Sequence, residues 1–204
     1  MIARVAFTVC VILFGTLARA EPLPAFFDVS GVAQTDVLNV RAAPNTSASI
    51  LDRLAADVEG IEVVARDESG DWGRINMRER SGWVAMRYLA RQPGQPGDVL
   101  PRPLNCSGTE PFWSLSLISD QKAEFSRSGQ DPVSFGNLYT VVAENRTDRY
   151  AIFGESEARV LTSVFRRDLC TDGMSDRAYG IDVDIFLTEQ SGVSFVSGCC
   201  TIAR

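Results

Sequence analysis

The sequence predicts an all-β protein of two small domains: an N-terminal barrel, then a C-terminal antiparallel sandwich or barrel held by disulfides. Three observations lead there. Apolar and polar residues alternate with period two through most of the chain, the pattern of half-buried strands. A run of proline and glycine, Gln92-Pro93-Gly94-Gln95-Pro96-Gly97, breaks the chain near its middle without apolar periodicity. No long amphipathic helical pattern interrupts the alternation.

In chain order, Met1–Ala20 reads as a secretory signal. Arg4 gives the positive start, Val5–Leu17 the apolar stretch, and Ala18-Arg19-Ala20 a small-x-small cleavage site before Glu21. The apolar run is well short of the ~20 residues a spanning helix needs. Phe7-Thr8-Val9 ahead of Cys10 is no lipidation signal, so soluble export follows, with no stable membrane insertion after cleavage. Glu21–Ala33 is a lead-in whose Phe26, Phe27 and Val29 either form a first strand or pack as a tail on the barrel. From Asp36 the pattern is strand, turn, strand. Val37, Leu38 and Val40 come first, then a turn at Ala43-Pro44-Asn45, then Ile50 and Leu54. Ile61–Val64, Trp72–Met77 and Gly82–Val84 follow, separated by Glu68–Asp71 and by the charged turn Arg78–Ser81. Strands this short, with Gly and Asp turns, imply a small barrel. Its core is expected to draw on Val40, Leu54, Val63, Ile75, Trp83 and Leu89.

The linker spans 92–103, stiffened by Pro101 and Pro103, and divides a first domain at 21–91 from a second at 104–204. In the second, Trp113, Leu115 and Leu117 share one face, with Ser114 and Ser116 on the other. Ile181, Val183, Ile185 and Leu187 alternate with Asp182, Asp184, Phe186 and Thr188. Further strands are expected at Ala123–Arg127, Val133–Ala143, Tyr150–Phe153, Arg159–Arg166 and Val193–Ser197.

Composition narrows function. The chain has 20 basic and 26 acidic residues. Without Arg4 and Arg19 the balance is 18 to 26, a net charge of −8 shared as −3 on 21–91 and −5 on 92–204. An acidic chain is a poor partner for nucleic acid, which is bound through Lys and Arg on phosphates, and it carries no polybasic membrane patch. Histidine is absent, which removes the commonest general base and the usual metal ligand. No catalytic residue, metal or cofactor is expected. Four cysteines remain after the signal, all in the second half: Cys106, Cys170, Cys199 and Cys200. An even number in an exported chain reads as two disulfides.

Asn39-Val40-Arg41, the turn proline Pro44 and Gly82-Trp83-Val84 resemble the bacterial SH3 (SH3b) module, a small β-barrel that usually binds. Many relatives are attached to cell-wall hydrolases and dock on peptidoglycan or its peptide. The resemblance implies a shallow groove, for which Asn39, Arg41, Trp72 and Tyr88 are the candidates, since aromatic faces with a few polar groups suit a sugar or peptide. The bland alternative makes Trp72 and Trp83 core residues and pairs Arg41 with a nearby carboxylate.

Gly108-Thr109-Glu110-Pro111-Phe112-Trp113, then Cys170-x-Asp172-Gly173-Met174-Ser175-Asp176-Arg177 with Tyr179, then Gly198-Cys199, resemble a family of bacterial envelope proteins. That likeness implies a domain and no activity. Gly180 stands where those relatives often have proline. Glu110, Asp172, Ser175, Asp176 and Arg177 are the densest polar cluster of the chain, and so a possible second surface. Its plainer reading is a disulfide-tethered turn in which Asp176 or Arg177 caps backbone or pairs with Glu110. Relatives that keep only the Cys170-like and Cys199-like cysteines imply Cys170–Cys199. Neighbouring cysteines on a strand point to opposite faces, so Cys200 is left for Cys106.

The expected protein is exported, periplasmic or secreted in a Gram-negative bacterium, and non-enzymatic. Its partner is peptidoglycan or an envelope peptide or protein. The alternative is an inhibitor of a lysozyme-type wall hydrolase, acting through an acidic loop of the second domain.

Overall fold

A computed structural model describes residues 22–203. The signal segment and its cleavage site before Glu21 lie outside the described residues. The molecule is all-β, with one 3₁₀ turn at Met86–Tyr88. Among the described residues no helix is long and apolar enough to cross a membrane.

The first domain contains β1 (Ala25–Val29), β2 (Val37–Arg41), β3 (Ile50–Ala55), β4 (Ile61–Arg66), β5 (Trp72–Met77), β6 (Arg80–Ala85) and β7 (Leu89–Arg91). They form one antiparallel sheet in the order β3-β2-β6-β5-β4-β1-β7. The lead-in is therefore a strand: Ala25, Phe27 and Val29 point inward, and β1 pairs with both β4 and β7. The core gathers Phe27, Leu38, Val40, Val63, Ile75, Val84 and Met86, with Leu54 and Leu89 packed at its edge.

Trp83 is not part of that core. On β6 the inward positions are Gly82 and Val84, and period two turns Trp83 to the opposite face, where it is half-buried. Val84 fills the interior position that the sequence reading gave to Trp83.

The second domain contains β8 (Leu104–Gly108), β9 (Trp113–Leu117), β10 (Ala123–Arg127), β11 (Val133–Val142), β12 (Arg149–Glu155), β13 (Val160–Arg166), β14 (Ile181–Glu189) and β15 (Gly192–Ile202). Each strand pairs antiparallel with the next in sequence, and β15 returns to β8 to close a barrel. The choice between sandwich and barrel is thus settled as an eight-stranded up-and-down barrel. Eight strands enclose a space that side chains can fill. Here it is filled by Leu115, Phe125, Phe135, Tyr150, Ile152, Phe165, Ile185 and their neighbours, with Trp113 stacked on Phe125 at 5.9 Å. Ser163 is the buried polar exception, and its hydroxyl donates to the Ile152 carbonyl at 3.2 Å. On β11 a bulge between Gly136 and Tyr139 lets both Phe135 and Leu138 face inward, three residues apart.

Cys106 bonds Cys200 directly across the closing β8–β15 pair, and Cys170 bonds Cys199. The second disulfide ties the β13–β14 loop, which carries Asp172–Arg177, to β15.

The segment at 92–103 is held by both domains. Gln95 brackets Phe26, accepting from its N–H at 2.7 Å and donating to its carbonyl at 2.9 Å. Leu100 is buried in the barrel core, and the Pro103 carbonyl accepts from Ala203. The domains also meet directly. The Asp176 backbone donates to the Glu79 carbonyl and accepts from the Ser81 N–H, adding a short bridge beside the β5–β6 turn. Asn76 holds Ala178 by both of its backbone groups, at 2.7 and 2.9 Å. Glu62 accepts from the Ile202 N–H at 3.0 Å. A Cβ on Gly180 would meet the Val64 carbonyl and Pro24 at 2.9 Å, so glycine permits this close approach.

Candidate binding clefts

Asn39, Arg41, Trp72 and Tyr88 come from β2, β5 and the 3₁₀ turn, and the fold brings all four to one cleft of about 450 Å³. The β1–β2 loop from Gly31 to Asp36 and the side chain of Arg87 complete its walls. Local structure explains the placement. Trp72 follows a tight turn in which Asp67 accepts from the Trp72 N–H at 2.9 Å and from the Ser69 hydroxyl at 2.6 Å. Those bonds, the Ser69 hydroxyl first, hold the Asp67 carboxyl below its usual range. Trp72 then alternates outward from Gly73 and Ile75, and stays half-buried.

Among the described residues Arg41 pairs with no carboxylate. Its guanidinium donates to the Ala48 carbonyl at 2.7 Å and so braces the β2–β3 loop. Arg87 lies over the Tyr88 ring at 4.7 Å. The Asn39 amide, the Trp72 indole N–H and the Tyr88 hydroxyl have no hydrogen-bond partner among the described residues, so all three polar groups remain available to a ligand. Asp36, Arg87 and the lining of the β1–β2 loop were not singled out from sequence, because a loop's fold carries no periodic signal.

The polar cluster of the second domain is arranged differently from its sequence expectation. Asp172 folds the loop on itself, accepting from the N–H groups of Met174 and Ser175 and from the hydroxyls of Ser175 and Tyr179, all within 3.0 Å. Partial burial opposes its charge, but the four donors outweigh it and hold its pKa at about 2. The Ser175 hydroxyl is thus committed to Asp172. Lys122, the single lysine of the chain, sits in the β9–β10 turn. Glu110 stands apart: it is exposed and makes no ion pair or hydrogen bond among the described residues, so the expected pairing with Arg177 is absent. Asp176 does cap backbone, but through its own main chain on the first domain. The loop read as a possible free surface is largely a clasp between domains.

A second cleft of about 600 Å³ opens beside this clasp, lined by Arg74, Arg80 and Trp83 of the first domain and by Ser175, Asp176 and Arg177 of the second. Arg74 lies opposite Trp83 across β5–β6, its guanidinium 5.9 Å from the ring centroid. Sequence reasoning missed Arg80 and Asn76 because their partners lie about a hundred residues away, and Arg74, bonded locally to Ser81, because nothing in local spacing marks the cleft it lines.

Comparison with known proteins bears on the first domain. Residues 36–90 match the family model described as the bacterial SH3 domain. The match begins just ahead of β2 and ends within β7, so β1 lies outside it although it is paired into the same sheet. It covers all four residues of the 450 Å³ cleft and ends before the barrel begins. No curated protein and no solved structure matches the chain.

Proposed function

We propose that this is an exported, non-enzymatic protein of the bacterial envelope whose SH3 domain binds peptidoglycan or a wall peptide in the cleft of Asn39, Arg41, Trp72 and Tyr88. One observation carries the reading: a bacterial SH3 domain converges an indole, a phenol and a side-chain amide, all without protein hydrogen-bond partners, on one concave face. Aromatic faces supply contact area at low entropic cost, and the polar tips fix the orientation of a sugar or peptide. The two disulfides agree with an oxidising compartment outside the cytoplasm.

The inhibitor reading draws less support, because the acidic loop it requires is folded on itself and turned to the SH3 domain. Co-sedimentation of the chain from Glu21 onward with purified sacculi tests the proposal. Trp72→Ala should weaken binding about tenfold, some 1.4 kcal/mol, without changing the melting temperature. Binding through stacking and hydrogen bonds should also survive added salt, which screens exposed charges. Co-sedimentation that ignored Trp72, or vanished at moderate salt, would reject this site.

A further inference from the structure

The cleft between the domains has a composition unlike the rest of this acidic chain. Arg74, Arg80 and Arg177 reach it from β5, β6 and the β13–β14 loop, and Asp176 is the one carboxylate in its lining. Several arginines elsewhere are ion-paired: Arg102 with Asp120, Arg146 with Asp148, Arg159 with Glu189 and Arg166 with Asp182 and Asp184. Among the described residues none of the three cleft arginines has a carboxylate within ion-pair distance. Arg74 spends one donor on the Ser81 hydroxyl at 3.0 Å. Arg177 lies over the Tyr179 ring at 5.3 Å, and its Nε is buried with no hydrogen-bond partner.

Three guanidiniums with no carboxylate at ion-pair distance outnumber Asp176 in the lining and Glu62, which feels the Arg177 charge from behind. The cleft is left positive, and its walls concentrate that field. Planar guanidinium forks match carboxylate and phosphate oxygens in pairs of parallel bonds. Trp83 contributes a half-buried aromatic face next to them. We propose that this interdomain cleft binds an oxyanion, a carboxylate or phosphate, borne on a group whose apolar face lies against Trp83. The site is separate from the SH3 groove and needs both domains, because Arg177 is placed by the Asp176 and Ala178 contacts to Glu79, Ser81 and Asn76.

Isothermal titration of the chain from Glu21 onward tests it with three probes: a short peptide with a free C-terminal carboxylate, the same peptide amidated, and inorganic phosphate. Binding of the free peptide but not its amide supports a peptide carboxylate as the source, and binding of phosphate supports a phosphate-bearing ligand. The affinity should fall steeply with salt. Arg80→Gln, at an exposed position, and Arg74→Gln should each lower it about tenfold while the melting temperature stays put. Trp72→Ala should leave it unchanged, which separates this site from the groove. No heat from peptide or phosphate at millimolar concentration, or an unchanged affinity in both arginine variants, would overturn the proposal.

Discussion

Trp83 and Val84 show how much one step along a strand decides. The two are adjacent, yet Val84 is wholly buried and Trp83 faces the interdomain cleft. Trp83→Ala should therefore cost under about 2 kcal/mol of stability, whereas Ile75→Ala, deep in the same core, should cost roughly 2–5 kcal/mol. Urea denaturation of the two variants checks the order, and a larger loss at Trp83 would return it to the core. Glu62 offers a second test at this scale. Burial raises its pKa from 4.5 to about 7, against the Ile202 N–H and the Arg177 charge, which both lower it. The native state thus holds a proton that the unfolded chain releases. Glu62 leaves stability intact below about pH 4.5 and lowers it progressively as pH rises through 7. Glu62→Gln keeps an oxygen for the Ile202 N–H, so it should raise stability at pH 8 by on the order of 2 kcal/mol, seen as a higher melting temperature, and change little at pH 4.5. Equal shifts at both pH values would show that charge is not the cause.

Among the elements, the disulfides act on the barrel alone. Cys106–Cys200 spans 94 residues and locks the β8–β15 seam that closes the barrel, while Cys170–Cys199 spans 29 and anchors the clasp loop to β15. Removing the longer link with Cys106→Ala and Cys200→Ala should cost about 2–5 kcal/mol. The SH3 domain contains no cysteine, so reduction should lower the barrel transition and leave the SH3 transition in place. Calorimetry with and without reductant reads both. Most strands of the barrel were legible in the sequence because they alternate, as Ile181–Thr188 does, while β11 departs from the pattern at its bulge. The strand β8 was not, since its inward residues are Leu104, Cys106 and Gly108, and only the first reads as a strand former.

For the whole molecule, the linker composition pointed to a stiff segment dividing two domains and said nothing of a contact between them, and the folded chain is clasped. Asn76 replaces a strand partner for Ala178, Gly180 allows the Val64 carbonyl to approach, and Gln95 pins the linker to Phe26. Gly180→Val should push the domains apart without unfolding either. The measurable result is faster proteolysis between Gln92 and Pro103, and weaker thermal coupling of the barrel and SH3 transitions. Unchanged cleavage would mean that the contact tolerates the added side chain.

By itself the sequence determined the all-β class and the SH3-like character of the first domain; the boundary at 92–103 and a groove of Asn39, Arg41, Trp72 and Tyr88 are its expectations, and the fold places those four side chains on one cleft. Each of these rests on local information: period-two alternation, turn residues, and a motif whose members lie within about fifty residues. Only the tertiary structure decided that the second domain closes into a barrel, that Trp83 leaves the core, that the Asp172–Arg177 loop is a clasp, and that three arginines share one cleft. Those facts depend on pairs such as Asn76 with Ala178 and Asn105 with Thr201. Residues so far apart leave no trace in local spacing, because their meeting is fixed by how whole sheets close and dock.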